Sequence, residues 1–268
     1  MSDRSEEVRK YIRETYAGVA QGARPSCCGG GCGCGVQETS AMLGYDEGDL
    51  ASVPEASNMG LGCGNPVAIA ALKAGETVLD LGSGGGFDCF LARKQVGESG
   101  QVIGVDMTPD MIALARKNAA EMNYTNVDFR LGEIEHMPVA DGTVDAIISN
   151  CVINLSLDKE QVFSEMFRVL KPGGRISTSD VVAIADIPQG LRDDFGMIAS
   201  CIGGAEHVDN IKAMLLKVGF INIRLYPKDN SAEIVNSWLP EGGLDSYIAS
   251  YIMEAEKSAC GCAGGCCG

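Results

Sequence analysis

Four of the chain's 12 cysteines stand within the stretch "SCCGGGCGCG" at positions 26 to 35, and four more within "CGCAGGCCG" at 260 to 268. Cys27, Cys28, Cys32 and Cys34 step by one, four and two; Cys260, Cys262, Cys266 and Cys267 repeat those steps in reverse. Cys63, Cys89, Cys151 and Cys201 lie singly between the two clusters. Thiols in such number serve as disulfides, as metal ligands, as redox carriers or as small apolar core residues. Disulfide frameworks belong mostly to small secreted domains. The opening "MSDRSEEVRKYIRETY" is charged and holds no apolar signal segment, so a reducing cytoplasm and mostly free thiols are expected. The Cys-Cys and Cys-x-Cys pairs are a poor match to the usual spacing of zinc ligands.

A second constellation suits a nucleoside. "DLGSGGG" places Gly82, Gly84 and Gly86 between an apolar run and a helical pattern. Glycines there let the backbone approach a ligand and tighten a turn. Asp106 ends the next apolar run, 24 residues after Gly82. A carboxylate at that place can accept both ribose hydroxyls. NAD and S-adenosylmethionine share that ribose. Phe87 stands where a dinucleotide fingerprint has its last glycine, and no basic partner for a pyrophosphate is in view. Both absences favour S-adenosylmethionine. Asp80, at the end of the first run, is available for its amino acid end.

These residues need a scaffold, and from residue 76 onward strands and helices alternate. "TVLDLG", "QVIGVD", "NVDFRLG", "TVDAIISN" and "GRISTSDVV" predict strands; "FDCFLARKQV", "TPDMIALARKNAAEM" and "KEQVFSEMFRVL" predict helices. Thr108 as N-cap, Pro109 at the first helical position and Asp110 in the first turn mark the second helix. "KPGG" precedes the fifth strand as a turn. Such repetition makes a parallel sheet with right-handed crossovers and helices on both faces. Residues 207 to 218 read as a helix, and 220 to 226 and 246 to 256 as strands. Upstream, Val8, Tyr11, Ile12 and Tyr16 predict an amphipathic helix over residues 5 to 20, then a flexible glycine-cysteine loop, then a short helix over "PVAIAALK".

A chain of 268 residues, 46% of them hydrophobic, can bury a substantial core. No run of 18 apolar residues is present to span a membrane. The net charge of −15 argues against nucleic acid and against an anionic membrane surface as partner.

In their order, "VLDLGSGGG", "VIGVDMTPDMI", "GEIEHMPVADGTVDAIISN" and "VLKPGGR" resemble the motifs of class I methyltransferases. With "GLGCGNP" around Cys63, "SNCVINL" around Cys151 and "CIGGA" from Cys201, the chain resembles the arsenite methyltransferase family over residues 5 to 256. The resemblance implies a Rossmann-like α/β fold with a mostly parallel seven-stranded sheet, and S-adenosylmethionine as cofactor. It implies that Asp80, Gly82, Gly84, Gly86, Asp106 and Met107 bind that cofactor, that Ile134 and Glu135 lie near its adenine, and that Asn150 closes the site. It further implies that Cys63, Cys151 and Cys201 hold trivalent arsenic with its lone pair aimed at the sulfonium methyl.

The residue types suit that chemistry. Trivalent arsenic is soft and prefers thiolates. Arsenous acid is uncharged at neutral pH, so an acidic protein need not repel it. A lone pair attacks without a general base, and no histidine occurs near these motifs other than His136 and His207. The resemblance also implies an N-terminal cysteine that forms a disulfide with Cys63 during turnover. Cys34 fits its spacing best and Cys32 next, while Cys27 and Cys28 remain as capture thiols. A glutathione- or thioredoxin-type thiol would then be a co-substrate.

The expected division is an N-terminal helix and cysteine-rich loop over residues 1–60, a methyltransferase domain with the arsenic site over 61–256, and a disordered cysteine-rich tail over 257–268. A cytoplasmic monomer is expected. Cys89 reads as core. The tail cluster reads equally as a metal scavenger. A C-methyltransferase acting on a quinone or sterol would use the same cofactor motifs but leave the three single-cysteine motifs unexplained. A zinc or copper protein would leave the cofactor motifs idle.

Overall fold

The computed structural model describes residues 3–22, 35–239 and 242–259. Seven strands form one sheet in the order β3-β2-β1-β4-β5-β7-β6. They are β1 (Thr77–Leu81), β2 (Gln101–Asp106), β3 (Val127–Leu131), β4 (Val144–Asn150), β5 (Leu170–Ala183), β6 (Phe220–Pro227) and β7 (Ile248–Lys257). The first five are mutually parallel; β7 runs antiparallel between β5 and β6. The described helices are α1 (Asp3–Ala20), α2 (Val36–Leu43), α3 (Glu47–Ala51), α4 (Pro66–Ile69), α5 (Phe87–Val96), α6 (Pro109–Glu121), α7 (Lys159–Val169), α8 (Gln189–Asp193), α9 (Phe195–Ala199), α10 (Val208–Val218) and α11 (Ser231–Asn236).

Alternation along the strands divides the core in two. Val78, Val102, Ala146 and Ile148 pack with Phe90 and Leu91 of α5 and Ile112 of α6. Leu79, Leu81, Ile103, Val105 and Ile147 pack on the other face with Val162, Phe163 and Met166 of α7 and Leu215 of α10. Successive side chains of a strand point to opposite faces, so an uninterrupted apolar run serves both layers. Each such side chain contributes about 1.5–3 kcal/mol on burial. On α1, Val8 and Ile12 are buried against Ile198 and Ala199 of α9.

Two elements differ from the sequence expectation. The "PVAIAALK" helix stops after four residues, because Ala71 turns left-handed at φ 45° and the Arg175 guanidinium takes the carbonyls of Ala70 and Ala71 at 2.8 and 2.9 Å. "KPGG" lies inside β5 as a bulge, with the register to β4 jumping from Val144↔Leu170 to Ala146↔Arg175. The chain direction along the sheet reverses between β1 and β4. A crevice opens there at the carboxyl ends of the strands, and Asp80, Asp106, Asn150 and Asp180 all lie near those ends.

Candidate active site

The turn after β1 is pinned to the neighbouring strand. Gly82 N–H and Ser83 N–H both donate to the Val105 carbonyl, at 2.8 and 3.1 Å. Gly82 has φ 68°, and a Cβ on it would lie 2.5 Å from Val152, so only glycine fits. The Asp106 carboxylate accepts the Gly84 N–H at 3.0 Å and the Thr108 N–H at 2.8 Å. Asp106 therefore shapes the glycine turn as well as facing the cleft. Burial raises its pKa, and these hydrogen bonds oppose the rise. Thr108 occupies the N-cap of α6 without capping through its side chain; its hydroxyl serves Asp106 instead.

One cleft is lined by Asp80, Gly82, Gly84, Asp106, Met107, Ile134, Glu135, Asn150, Cys151 and Cys201. Gly86 does not line it. This glycine caps α5 in the left-handed conformation, φ 93°, beneath Phe90 and Phe129. The Glu135 carboxylate accepts the Ser156 hydroxyl at 2.7 Å and lies 3.6 Å from Arg9 of α1. Arg9 and Tyr16 line the same cleft, so α1 forms part of its wall.

The cleft is strongly acidic. Burial pushes Asp80 well above the usual carboxylate range, with Asp88 adding to the effect, and the Cys89 thiol donates to Asp80 at 3.2 Å. Burial also pushes Asp88 up to about 6. Among the described residues neither Asp80, Asp88 nor Asp106 has a lysine, arginine or histidine ion-pair partner. A ligand that brings positive charge and no phosphate suits acidic groups buried without cations.

Asn150 lines the cleft and also holds the loop that carries Cys63. Its Oδ1 accepts the Cys63 N–H at 2.9 Å, and its Nδ2 donates to Gly64 O at 2.7 Å and Tyr45 Oη at 3.0 Å. Asp88 lies 3.3 Å from the same nitrogen and accepts from Tyr45 Oη at 2.7 Å. The amide thus clamps the Cys63 loop. A Cβ on Gly62 would fall 2.6 Å from Asn150, which explains a glycine beside Cys63. The Cys63 carbonyl accepts from Ser250 Oγ of β7 at 2.8 Å and lies 3.5 Å from Lys228 Nζ.

Three of the four single cysteines approach one another at this point. Cys151 and Cys201 adopt left-handed backbone, φ 55° and 64°, a strained conformation for residues with a Cβ. Cys151 N–H donates to Ser179 O, and Cys201 Sγ to Cys151 O, both at 2.8 Å. The Cys151 thiol interacts with both the Cys63 and the Cys201 thiol. Cys63 and Cys201 are buried and Cys151 half-buried; Cys151 and Cys201 line the cleft, and Cys63 does not. Burial, and then the neighbouring thiols, raise the Cys151 pKa well above that of a free thiol. At Cys201 the Cys151 contact lowers the pKa, but burial, Asp180 and Cys63 outweigh it.

Sequence reasoning missed Asp180. It is 1% exposed, and one of its oxygens and the Cys63 and Cys151 sulfurs all lie within 4.8 Å of one another. The available signal was an acid inside the apolar strand "STSDVV". Cys27, Cys28, Cys32 and Cys34, and the four tail cysteines, lie outside the described residues. The flanks of the head cluster are described: Gly22 follows α1, and Gly35 precedes α2, whose Val36 side chain lies against Gly60, three residues before Cys63.

A methyltransferase domain family matches residues 72–221. The arsenite methyltransferase of Halobacterium salinarum is 50% identical over 265 residues, covering 95% of this chain and 68% of its own length. That of Aquipseudomonas alcaligenes is 37% identical, covering 92% and 70%. Among solved structures, an arsenic(III) S-adenosylmethionine methyltransferase from Chlamydomonas reinhardtii superposes with a TM-score of 0.62 at 32% identity, covering 84% of this chain and 74% of that one.

Proposed function

The chain belongs to the arsenite methyltransferase family, and on that premise we propose that it transfers methyl groups from S-adenosylmethionine to trivalent arsenic held by Cys63, Cys151 and Cys201. The observation that carries this reading is the meeting of the Cys63 and Cys201 thiols at Cys151, on the wall of the glycine-turn cleft.

Arsenous acid exchanges three hydroxyls for three thiolates. Each thiol proton leaves with a hydroxyl as water, so high thiol pKa values are no obstacle. When bound, S-adenosylmethionine supplies an electrophilic methyl group, which the arsenic lone pair takes by in-line displacement. Asp106 and the Gly82–Gly84 turn hold the ribose side of the ligand; Asp80 and Asp88 attract its cationic end. The protein contributes mainly position, worth several kcal/mol (about 7–11 at the limit of intramolecular reactions). Arsenic loses two electrons formally in gaining the methyl group. Two thiolates return them by coupling as a disulfide, Cys63 with a head-cluster cysteine, Cys34 or Cys32. A glutathione- or thioredoxin-type thiol then reduces that disulfide. Such a cycle suits a reducing cytoplasm and a monomer. No described helix is long and apolar enough to cross a membrane.

The test is incubation with methyl-labelled S-adenosylmethionine, arsenite and a thiol, followed by separation of arsenic species. Labelled methylarsenicals are expected. Their absence from protein that binds the labelled cofactor overturns the reading.

A further inference from the structure

Cys63, Cys151 and Asp180 form a second donor set overlapping the first. We propose that these three side chains bind a soft or borderline divalent cation, Zn²⁺ or Cd²⁺, and that this cation excludes arsenic from the thiols. The exclusion rests on Cys63 and Cys151 being arsenic ligands; the cation site does not.

The geometry is close to what such an ion needs. A tetrahedral zinc with bonds of about 2.3 Å to sulfur and about 2.1 Å to oxygen sets its donors about 3.6–3.8 Å apart. The three donor atoms already lie within 4.8 Å of one another, and come from three separate elements. Cys63 stands on the loop before α4, Cys151 follows β4, and Asp180 is in β5. A cation reaches them through Cys151, which lines the cleft, and water from the cleft completes the shell.

Asp180 makes the set different from a three-thiolate site. Its Oδ2 accepts Ile153 N–H at 2.8 Å; its Oδ1 accepts Asn154 Nδ2 at 2.9 Å and Val181 N–H at 2.8 Å. The Asn154 backbone N–H also bonds this carboxylate, so the roughly four acceptor positions of a carboxylate are taken and a cation takes the place of one of these bonds. The same bonds fix the carboxylate in place. Oxygen is a hard donor that arsenic has little use for but zinc and cadmium accept beside thiolates. Cys201 is needed only by the three-thiolate ligand; here its thiol donates to the Cys151 carbonyl. On binding, the cation displaces the Cys63 and Cys151 protons, which pass to solvent. No electron moves.

The experiment uses the full chain with its eight head and tail cysteines replaced by serine. Cd²⁺ is titrated and followed by thiolate-to-cadmium charge-transfer absorbance; arsenite is titrated and followed by the fluorescence of Trp238, the one tryptophan, which lines the cleft. One Cd²⁺ per chain is expected, with the amplitude of two thiolates and in competition with arsenite. Asp180→Asn should weaken Cd²⁺ at least about tenfold more than arsenite, and Cys201→Ser arsenite at least about tenfold more than Cd²⁺, a tenfold ratio being about 1.4 kcal/mol. Absence of Cd²⁺ binding, a three-thiolate amplitude, or variants that shift both ligands equally overturn the proposal. If Asp180→Asn fails to fold, the amplitude and Cys201→Ser still decide. If the parent binds Cd²⁺ but not arsenite, the arsenic reading fails and the cation site stands.

Discussion

Asn150 and Cys63, 87 residues apart in the chain, are joined by a 2.9 Å hydrogen bond from the Cys63 amide to the Asn150 side-chain oxygen. The same side chain donates to the carbonyl of Gly64. A residue at the end of β4 thus fixes the backbone on both sides of a thiol that arrives from a loop ahead of the sheet.

Asn150→Ala removes both bonds and leaves polar backbone groups of the loop without that partner. A lost buried partner costs about 1–3 kcal/mol. Arsenite affinity should fall at least about tenfold, with S-adenosylmethionine affinity within about threefold. Calorimetric titration of each ligand decides; an equal fall in both would assign Asn150 to the cofactor.

Asp106→Ala should weaken S-adenosylmethionine by about 1.5–3 kcal/mol, the scale of a charged hydrogen bond. The glycine turn loses its Asp106 anchor at Gly84 as well, so the upper half of that range is expected. Unchanged affinity by calorimetry would remove Asp106 from the site.

Arsenite takes three thiolates, whereas arsenic already carrying one methyl group takes two. Cys151→Ser and Cys201→Ser should abolish methylation of both arsenite and monomethylarsenite, since serine is a poor ligand for soft arsenic. Cys63→Ser and a Cys32/Cys34 double serine variant should lose the first step more than the second. A chain ending at Ser258 should keep the second step. If the double variant matches the parent on both substrates, the head cluster is a scavenger and not part of the cycle. Strand β7 runs from Ser250, beside Cys63, to Lys257 at the far end of the sheet, roughly 23 Å at 3.3 Å per residue. The tail therefore starts far from the thiols.

Asp88 gives a pH signature. Its pKa is raised to about 6 in the fold, against about 3.9 in an unfolded chain. Its contribution to stability is therefore present at low pH and is lost as pH rises through 6. Between pH 5 and pH 7.5 that loss is about 1.4 kcal/mol. Denaturant unfolding of the ligand-free protein should show a smaller drop over this range for Asp88→Asn than for the parent. An equal drop in both would place the titration elsewhere.

Local patterns carried most of the fold and the glycine turn with its Asp106 anchor. The apolar runs that became β1 to β4, the Pro109 helix start and the spacing of Gly82 to Asp106 are decided within a few residues. What escaped depends on distant partners. The "PVAIAALK" helix ends because Arg175, 105 residues from Ala70, takes its last carbonyls. That Asn150 also clamps the Cys63 loop shows only once that loop is folded against it. The left-handed backbone at Cys151 and Cys201 has no local signature, since glycine is the usual residue there. Asp180 was visible as an oddity in a strand, but not its closeness to two thiols from other elements.

The hold of Ser250 on the Cys63 carbonyl, across 187 residues, has a consequence for biosynthesis. A ribosome releases the Cys63 loop long before it makes β7, and until β7 inserts beside β5 that loop lacks the anchor. Contacts between such distant parts of a chain form late, after the closing of a large loop. A nascent chain truncated before Ser250 can still clamp the Cys63 loop through Asn150 but lacks its tie to β7, so the thiol site is complete only once β7 is in place.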